Sequence, residues 1–297
     1  MAGHLPDVPA IANASMASPV LPATAIGVFD SGIGGLSILR HIRRLLPHEH
    51  LLYFSDSRFA PYGGKSEAEI EQRALAIGQY LVEQGVKAIV VACNTATAVA
   101  IAALRSRYPT LIVVGVEPGL KPAAAQSRSK LIGVLATEAT LASTKFLELR
   151  DEIAATADVT FYLQACIGLV DQIEFGDIDS AITNQLLRRY LVPLIEKGCD
   201  TLVLGCTHYP FVLRQIEAVI GAHGTTPPAI IDTGDAVARQ LVRQLALHAL
   251  ASINQRSEGS VTAVTSGEAE GLRRAFVRLL GLQIPVQVQP LTSKCFD

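Results

Sequence analysis

Two cysteines stand where an apolar run gives way to a polar turn. Cys93-Asn94-Thr95 follows residues 88–92, and Cys206-Thr207-His208 follows residues 201–204. In open α/β sheets ligands bind beyond the carboxyl ends of the strands, so both cysteines fall where a site forms. If each turn opens a helix, its free N–H groups and positive dipole end favour bound carboxylates and lower a thiol pKa from its usual value near 8.5. A lone cysteine is ordinarily a small buried apolar residue; two at matching polar strand ends are less ordinary. A thiolate on one face of a carbon and a thiol on the other can invert a stereocentre: one removes the α-proton and the other returns a proton from the opposite side. Hydrolysis through a single cysteine nucleophile with a nearby histidine is the competing chemistry, and it leaves the second thiol unexplained.

The elements that must hold these groups are legible as short apolar runs at residues 26–29, 51–54, 88–92, 112–116, 131–135, 159–163, 201–204, 229–231, 261–264 and 286–288. Continuous apolar runs bounded by turn residues fit strands covered on both faces, and amphipathic stretches lie between them. Ser66-Glu67-Ala68-Glu69 has the form of a capping box, and Gly85 that of a helix stop. The expectation is an α/β fold with right-handed crossovers. Ile26-Gly27-Val28-Phe29 is echoed by Ile132-Gly133-Val134-Leu135, 106 residues on, and the Cys93 strand by the Cys206 strand, 113 residues on. Two echoes in the same order predict two similar parallel-sheet domains related by a pseudo-two-fold, with the active site in the cleft between them. The first 24 residues read as a disordered extension.

Another polar strand end, Asp30-Ser31-Gly32-Ile33-Gly34-Gly35, allows close backbone approach to a ligand, with Asp30 placed to orient a group or assist a base. Its glycine spacing does not fit dinucleotide binding, and a tight turn capped by Asp or Ser accounts for it equally well. Pro61-Tyr62-Gly63-Gly64 reads as a turn able to close over a site. His208, two positions from Cys206, is placed to orient or protonate a neighbour. Cys166, Cys199 and Cys295 lack such settings and read as structural or incidental. No spacing calls for a metal, a P-loop or pyridoxal phosphate, so the expected cofactor is none.

The 297 residues are 49% hydrophobic and 18% charged, the composition of a packed soluble protein. Twenty-five basic against 27 acidic side chains give a net charge of -2, so no nucleic-acid partner is expected. Arg40, His41, Arg43 and Arg44 read as one solvated helix face. Five scattered cysteines argue against a disulfide framework and for a reducing, cytoplasmic setting, and no apolar run is long enough to cross a bilayer.

Taken in order, Gly27-Val28-Phe29-Asp30-Ser31-Gly32-Ile33-Gly34-Gly35-Leu36, Gly115-Val116-Glu117-Pro118, Ile231-Asp232 and the Tyr62, Cys93 and Cys206 segments resemble bacterial glutamate racemases, from about residue 26 to 291. The resemblance implies a cofactor-independent enzyme interconverting L- and D-glutamate for peptidoglycan synthesis, commonly a homodimer. It also implies that the C-terminal part returns to the first domain, so that residues 25–117 plus 231–297 form the first domain and 118–230 the second. It implies Cys93 and Cys206 as the acid/base pair, Cys93 acting on the D form and Cys206 on the L form, with Asp30 and His208 assisting. Asp30, Ser31, Tyr62, Gly63, Asn94, Thr95, Thr207 and His208 match its substrate-binding positions. A racemase of aspartate or another amino acid, a cysteine hydrolase or decarboxylase, and a purely binding role are the alternatives.

Overall fold

The computed structural model describes residues 25–224, 226–252 and 257–291; the predicted extension at 1–24 and Cys295 lie outside them. Among the described residues the strands are β1 (Ile26–Asp30), β2 (Leu51–Ser55), β3 (Ala88–Val91), β4 (Ile112–Gly115), β5 (Leu131–Ala136), β6 (Thr160–Ala165), β7 (Thr201–Gly205), β8 (Ala229–Ile231), β9 (Val261–Thr265) and β10 (Val286–Val288). The helices are α1 (Leu36–Leu45), α2 (Glu67–Glu83), α3 (Asn94–Arg107), α4 (Leu120–Gln126), α5 (Glu138–Ala142), α6 (Thr144–Ala157), α7 (Leu169–Phe175), α8 (Ala181–Glu196), α9 (Leu213–Ala222), α10 (Gly234–Leu247) and α11 (Ala269–Leu280). Each predicted strand run has its strand, within a residue or two at the ends.

The strands form two wholly parallel sheets, ordered β10-β9-β2-β1-β3-β4 and β6-β5-β7-β8. Without β9 and β10 the first order matches the second strand for strand, which is the topology an internal duplication requires. β1 and β5 are central in each, and β3 and β7 sit beside them in the same register: Ile26 lies against Ala88, and Ile132 against Thr201. Helices on both faces bury β1, β2, β3 and β7 completely, which is why these strands read as unbroken apolar runs rather than alternating ones. The capping box is present: the Glu69 amide donates to Ser66 Oγ at 3.3 Å and the Ser66 amide to Glu69 Oε2 at 3.1 Å. On the basic face of α1, Arg40 and Arg44 are exposed, Arg44 pairing with Asp235 on α10 at 2.5 Å, while His41 is mostly covered.

Asp200 ties the turn before β5 to the start of β7. Its carboxylate accepts from the amides of Arg128 and Ser129, both at 2.7 Å, and from the hydroxyls of Ser127 at 2.6 Å and Thr201 at 3.0 Å. Burial opposes its ionisation more than any one donor favours it, but the four donors together outweigh it and hold the carboxyl well below its ordinary value of 3.8. With the folded pKa below the unfolded one, the stabilisation is complete above about pH 4 and is lost as pH falls through the folded value. Asp200→Asn is therefore expected to lower stability at pH 7 by about 1–3 kcal/mol. Melting curves of both proteins should converge as the pH drops below about 4; a gap independent of pH would contradict the assignment.

Candidate active site

The loops at the carboxyl ends of β1, β2 and β3 meet those after β5 and β7 around one small cavity. Ser31, Pro61, Tyr62, Gly63, Cys93, Asn94 and Thr95 line it from the first half, and Thr137, Val170, Cys206, Thr207 and His208 from the second. All the sequence-derived site residues except Asp30 lie on this wall, and Asp30 sits behind Ser31 with no exposure. The cavity is about 10 Å3, room for roughly one water molecule, so it must widen to admit an amino acid.

Cys93 caps α3. Its backbone is extended, and its sulfur accepts from the Ala96 amide at 3.5 Å and lies 3.9 Å from Ser31 Oγ. Asp30 accepts from the amides of Ser31 at 2.7 Å and Gly35 at 2.6 Å, and its carboxyl is hydrogen-bonded to the Cys93 thiol. Asp30 therefore caps the glycine turn and also lies next to the Cys93 thiol. The expectation that a helix start would lower the Cys93 pKa is corrected. Burial, reinforced by the neighbouring Asp30 charge, pushes this thiol well up, and the single amide from Ala96 is too little to reverse it. Burial likewise raises Asp30, against the pull of His208.

Cys206 has a different neighbour. Its sulfur lies 3.6 Å from His208 Nδ1, while His208 Nε2 lies 2.6 Å from Glu174 Oε1 on α7. The Ile33 amide donates to the same Glu174 oxygen at 2.9 Å, joining the glycine turn of the first half to the second. Burial disfavours charge on both partners. It is outweighed for His208 by the Cys206 sulfur and Glu174, which hold the imidazole well above its usual range, and for Glu174 by His208, Ile33 and Arg278, which hold the carboxyl low. The polar turn after Cys206 opens a short 3-10 helix, Tyr209–Val212, rather than an α-helix, so no full helix N-terminus faces this sulfur.

The echo in sequence becomes a correspondence of positions. Cys206 matches Cys93, Thr207 matches Asn94, and Thr137 matches Ser31; but His208 matches Thr95, and Asp30 matches Ala136. The two halves thus present the same thiol and back it with unlike proton carriers. Asn94 Nδ2 is buried without a hydrogen-bond partner, a donor left available at the cavity wall. Thr95, Thr137 and Thr140 close a triangle of hydroxyls at 2.9–3.1 Å across the two halves.

Glu174, Thr137 and Val170 are the site residues that the sequence reading missed. Asp171 is absent from the cavity wall. Cys166 is buried, its thiol directed at the Gln164 carbonyl, 3.6 Å away, and Cys199 is buried in the core. Among the described residues no group of three or more His, Cys, Asp or Glu is placed to hold a metal ion, and no helix is long and apolar enough to cross a membrane.

Two like parallel-sheet halves, each bringing one buried thiol to a shared cavity, define a duplicated α/β protein with its site between the repeats. The chain belongs to the Asp/Glu/hydantoin racemase family, whose model matches residues 26–241. It is 48% identical over 263 residues to the glutamate racemase of Ectopseudomonas mendocina, covering 89% of this chain and 97% of that one. Among solved structures it resembles the Escherichia coli glutamate racemase in complex with L-glutamate and the activator UDP-MurNAc-ala, with TM-score 0.78 and 32% identity over 91% of this chain and all of that one. It also resembles the Francisella tularensis glutamate racemase in complex with D-glutamate, with TM-score 0.78 and 27% identity over 92% of this chain and 99% of that one.

Proposed function

We propose that this protein interconverts L- and D-glutamate without a cofactor, using Cys93 and Cys206 as a two-base pair. The observation that carries the reading is the presence of both thiols on the wall of one cavity, each backed by its own proton carrier. Relatives whose structures hold L-glutamate and D-glutamate support the substrate. In the L-to-D direction Cys206, next to the His208 imidazolium, takes the α-proton. Cys93, whose proton burial and Asp30 hold in place, delivers one to the opposite face. In the reverse direction the roles exchange, and His208 and Asp30 stabilise whichever protonation state each turnover leaves behind.

The α-proton of an amino acid is far less acidic than a thiol, so the developing carbanion needs help. The start of α3, the unpaired Asn94 amide and the hydroxyls of Ser31 and Thr207 supply donors for the α-carboxylate in a narrow, mostly buried site. Tyr62, Gly63 and Thr95 complete the binding wall. The same reading makes the protein a cytoplasmic homodimer that supplies D-glutamate for peptidoglycan.

Incubation with L-glutamate in deuterated water tests this directly. Optical rotation should decay to zero while one α-deuterium enters each inverted molecule. Exchange with aspartate but not glutamate would overturn the substrate and keep the chemistry. No exchange with any amino acid would reject the racemase reading.

A further inference from the structure

The mechanism leaves one fully buried ion pair without a task. Asp56, which follows β2, is 0% exposed, and Arg73 on α2 is 6% exposed. Arg73 Nε donates to Asp56 Oδ2 at 2.9 Å and Nη2 to Oδ1 at 2.7 Å, a bidentate clamp. Its Nη1 donates to the Leu291 carbonyl at 3.0 Å, and the guanidinium stacks 3.9 Å from the centre of the Phe59 ring. Asp56 also accepts from the Tyr62 hydroxyl at 2.6 Å, and Tyr62 is a wall residue of the cavity.

Burying two charges costs desolvation that their attraction only partly returns, and apolar residues of like volume would stabilise the core as well. What an apolar pair cannot do is fix the direction of a third group. A phenol has one proton to give, and here it goes inward to Asp56. The Tyr62–Gly64 turn is wedged from the other side as well: a Cβ on Gly63 would stand 2.9 Å from Thr137 Cβ.

We infer that Arg73 is a positioning residue for glutamate binding: it fixes Asp56 as the acceptor for Tyr62, and so holds Tyr62 and Gly63 in place on the cavity wall. The inference rests on the racemase reading. Because a binding wall away from the reacting carbon serves ground and transition states alike, its displacement should raise KM and leave kcat nearly unchanged.

Arg73→Lys keeps the charge and gives up the fork, so the pair stays neutralised in the core. KM for both enantiomers should rise about tenfold with kcat within about threefold. Tyr62→Phe should raise KM similarly, and the double variant should be no worse than the worse single one, since both cut the same chain of contacts. If Arg73→Lys folds poorly, Asp56→Asn combined with Arg73→Met removes both charges together and should show the same KM rise. A folded Arg73 variant with wild-type KM and only a lowered Tm would overturn the inference, as would KM effects that multiply in the double variant. Wild-type protein that does not racemise glutamate would instead reject the racemase reading, whatever Arg73 does.

Discussion

Cys93→Ala and Cys206→Ala should each lower racemisation of glutamate by at least about 10^3-fold while leaving a folded protein. Each sulfur is a small atom in a packed wall, so its loss costs about 1 kcal/mol of stability, far less than the core. In the proposed two-base mechanism each cysteine serves as base in one direction and acid in the other, so neither direction survives the loss of one. The residual chemistry should differ between the two. With Cys206 retained, the α-proton of L-glutamate can still exchange with deuterium from one face, and with Cys93 retained the same holds for D-glutamate. Proton NMR in deuterated water reads both effects: one-sided exchange without inversion. A single-nucleophile hydrolase or decarboxylase would lose activity with only one of the two variants, and that outcome would sink the two-base mechanism.

Gly34→Ala should be nearly as damaging, although it alters no reacting atom. A Cβ at Gly34 would stand 2.3 Å from His208 Nδ1 and 2.6 Å from Thr207 Oγ1, far inside contact distance. His208 cannot yield freely, because its other nitrogen is held 2.6 Å from Glu174, which also receives the Ile33 amide. Either the imidazole leaves the Cys206 sulfur or the two halves fail to close. Both routes remove an oriented proton carrier, and a fall in kcat of about 10^2–10^4 is expected with the sheets intact by circular dichroism. Near-normal turnover by Gly34→Ala would show that His208 does not need to sit against Cys206.

The strands and the two thiols were legible because they follow local rules. Buried parallel strands such as β1 and β3 must be apolar throughout, and a duplicated topology leaves the same strand end twice, which is how Cys93 and Cys206 stood out from Cys166 and Cys199. Glu174 was not legible in that way. It reaches His208 across 34 residues, from a short helix with no motif, and Asp171 in the same stretch is an equally good carboxylate on paper. The one usable signal is periodicity: Val170 lies on the cavity wall, and Glu174 lies one helical turn further along the same face. The raised Cys93 pKa was missed for the opposite reason. A helix start is visible in sequence, whereas complete burial beside Asp30 is a product of two halves meeting. The Asp56–Arg73 clamp likewise joins the end of one strand to the middle of a helix, with nothing in either segment to announce it.

The unlike proton carriers behind the two thiols bear on the thermodynamics of the reaction. L- and D-glutamate are mirror images and have equal free energy in water, so the equilibrium constant is one, whatever the enzyme is made of. It follows that kcat/KM must be the same from either side. Asp30 behind Cys93 and the His208–Glu174 pair behind Cys206 can favour one resting proton arrangement, but they cannot favour one product. Whatever affinity this asymmetry gives one enantiomer, that enantiomer must turn over more slowly in the same proportion.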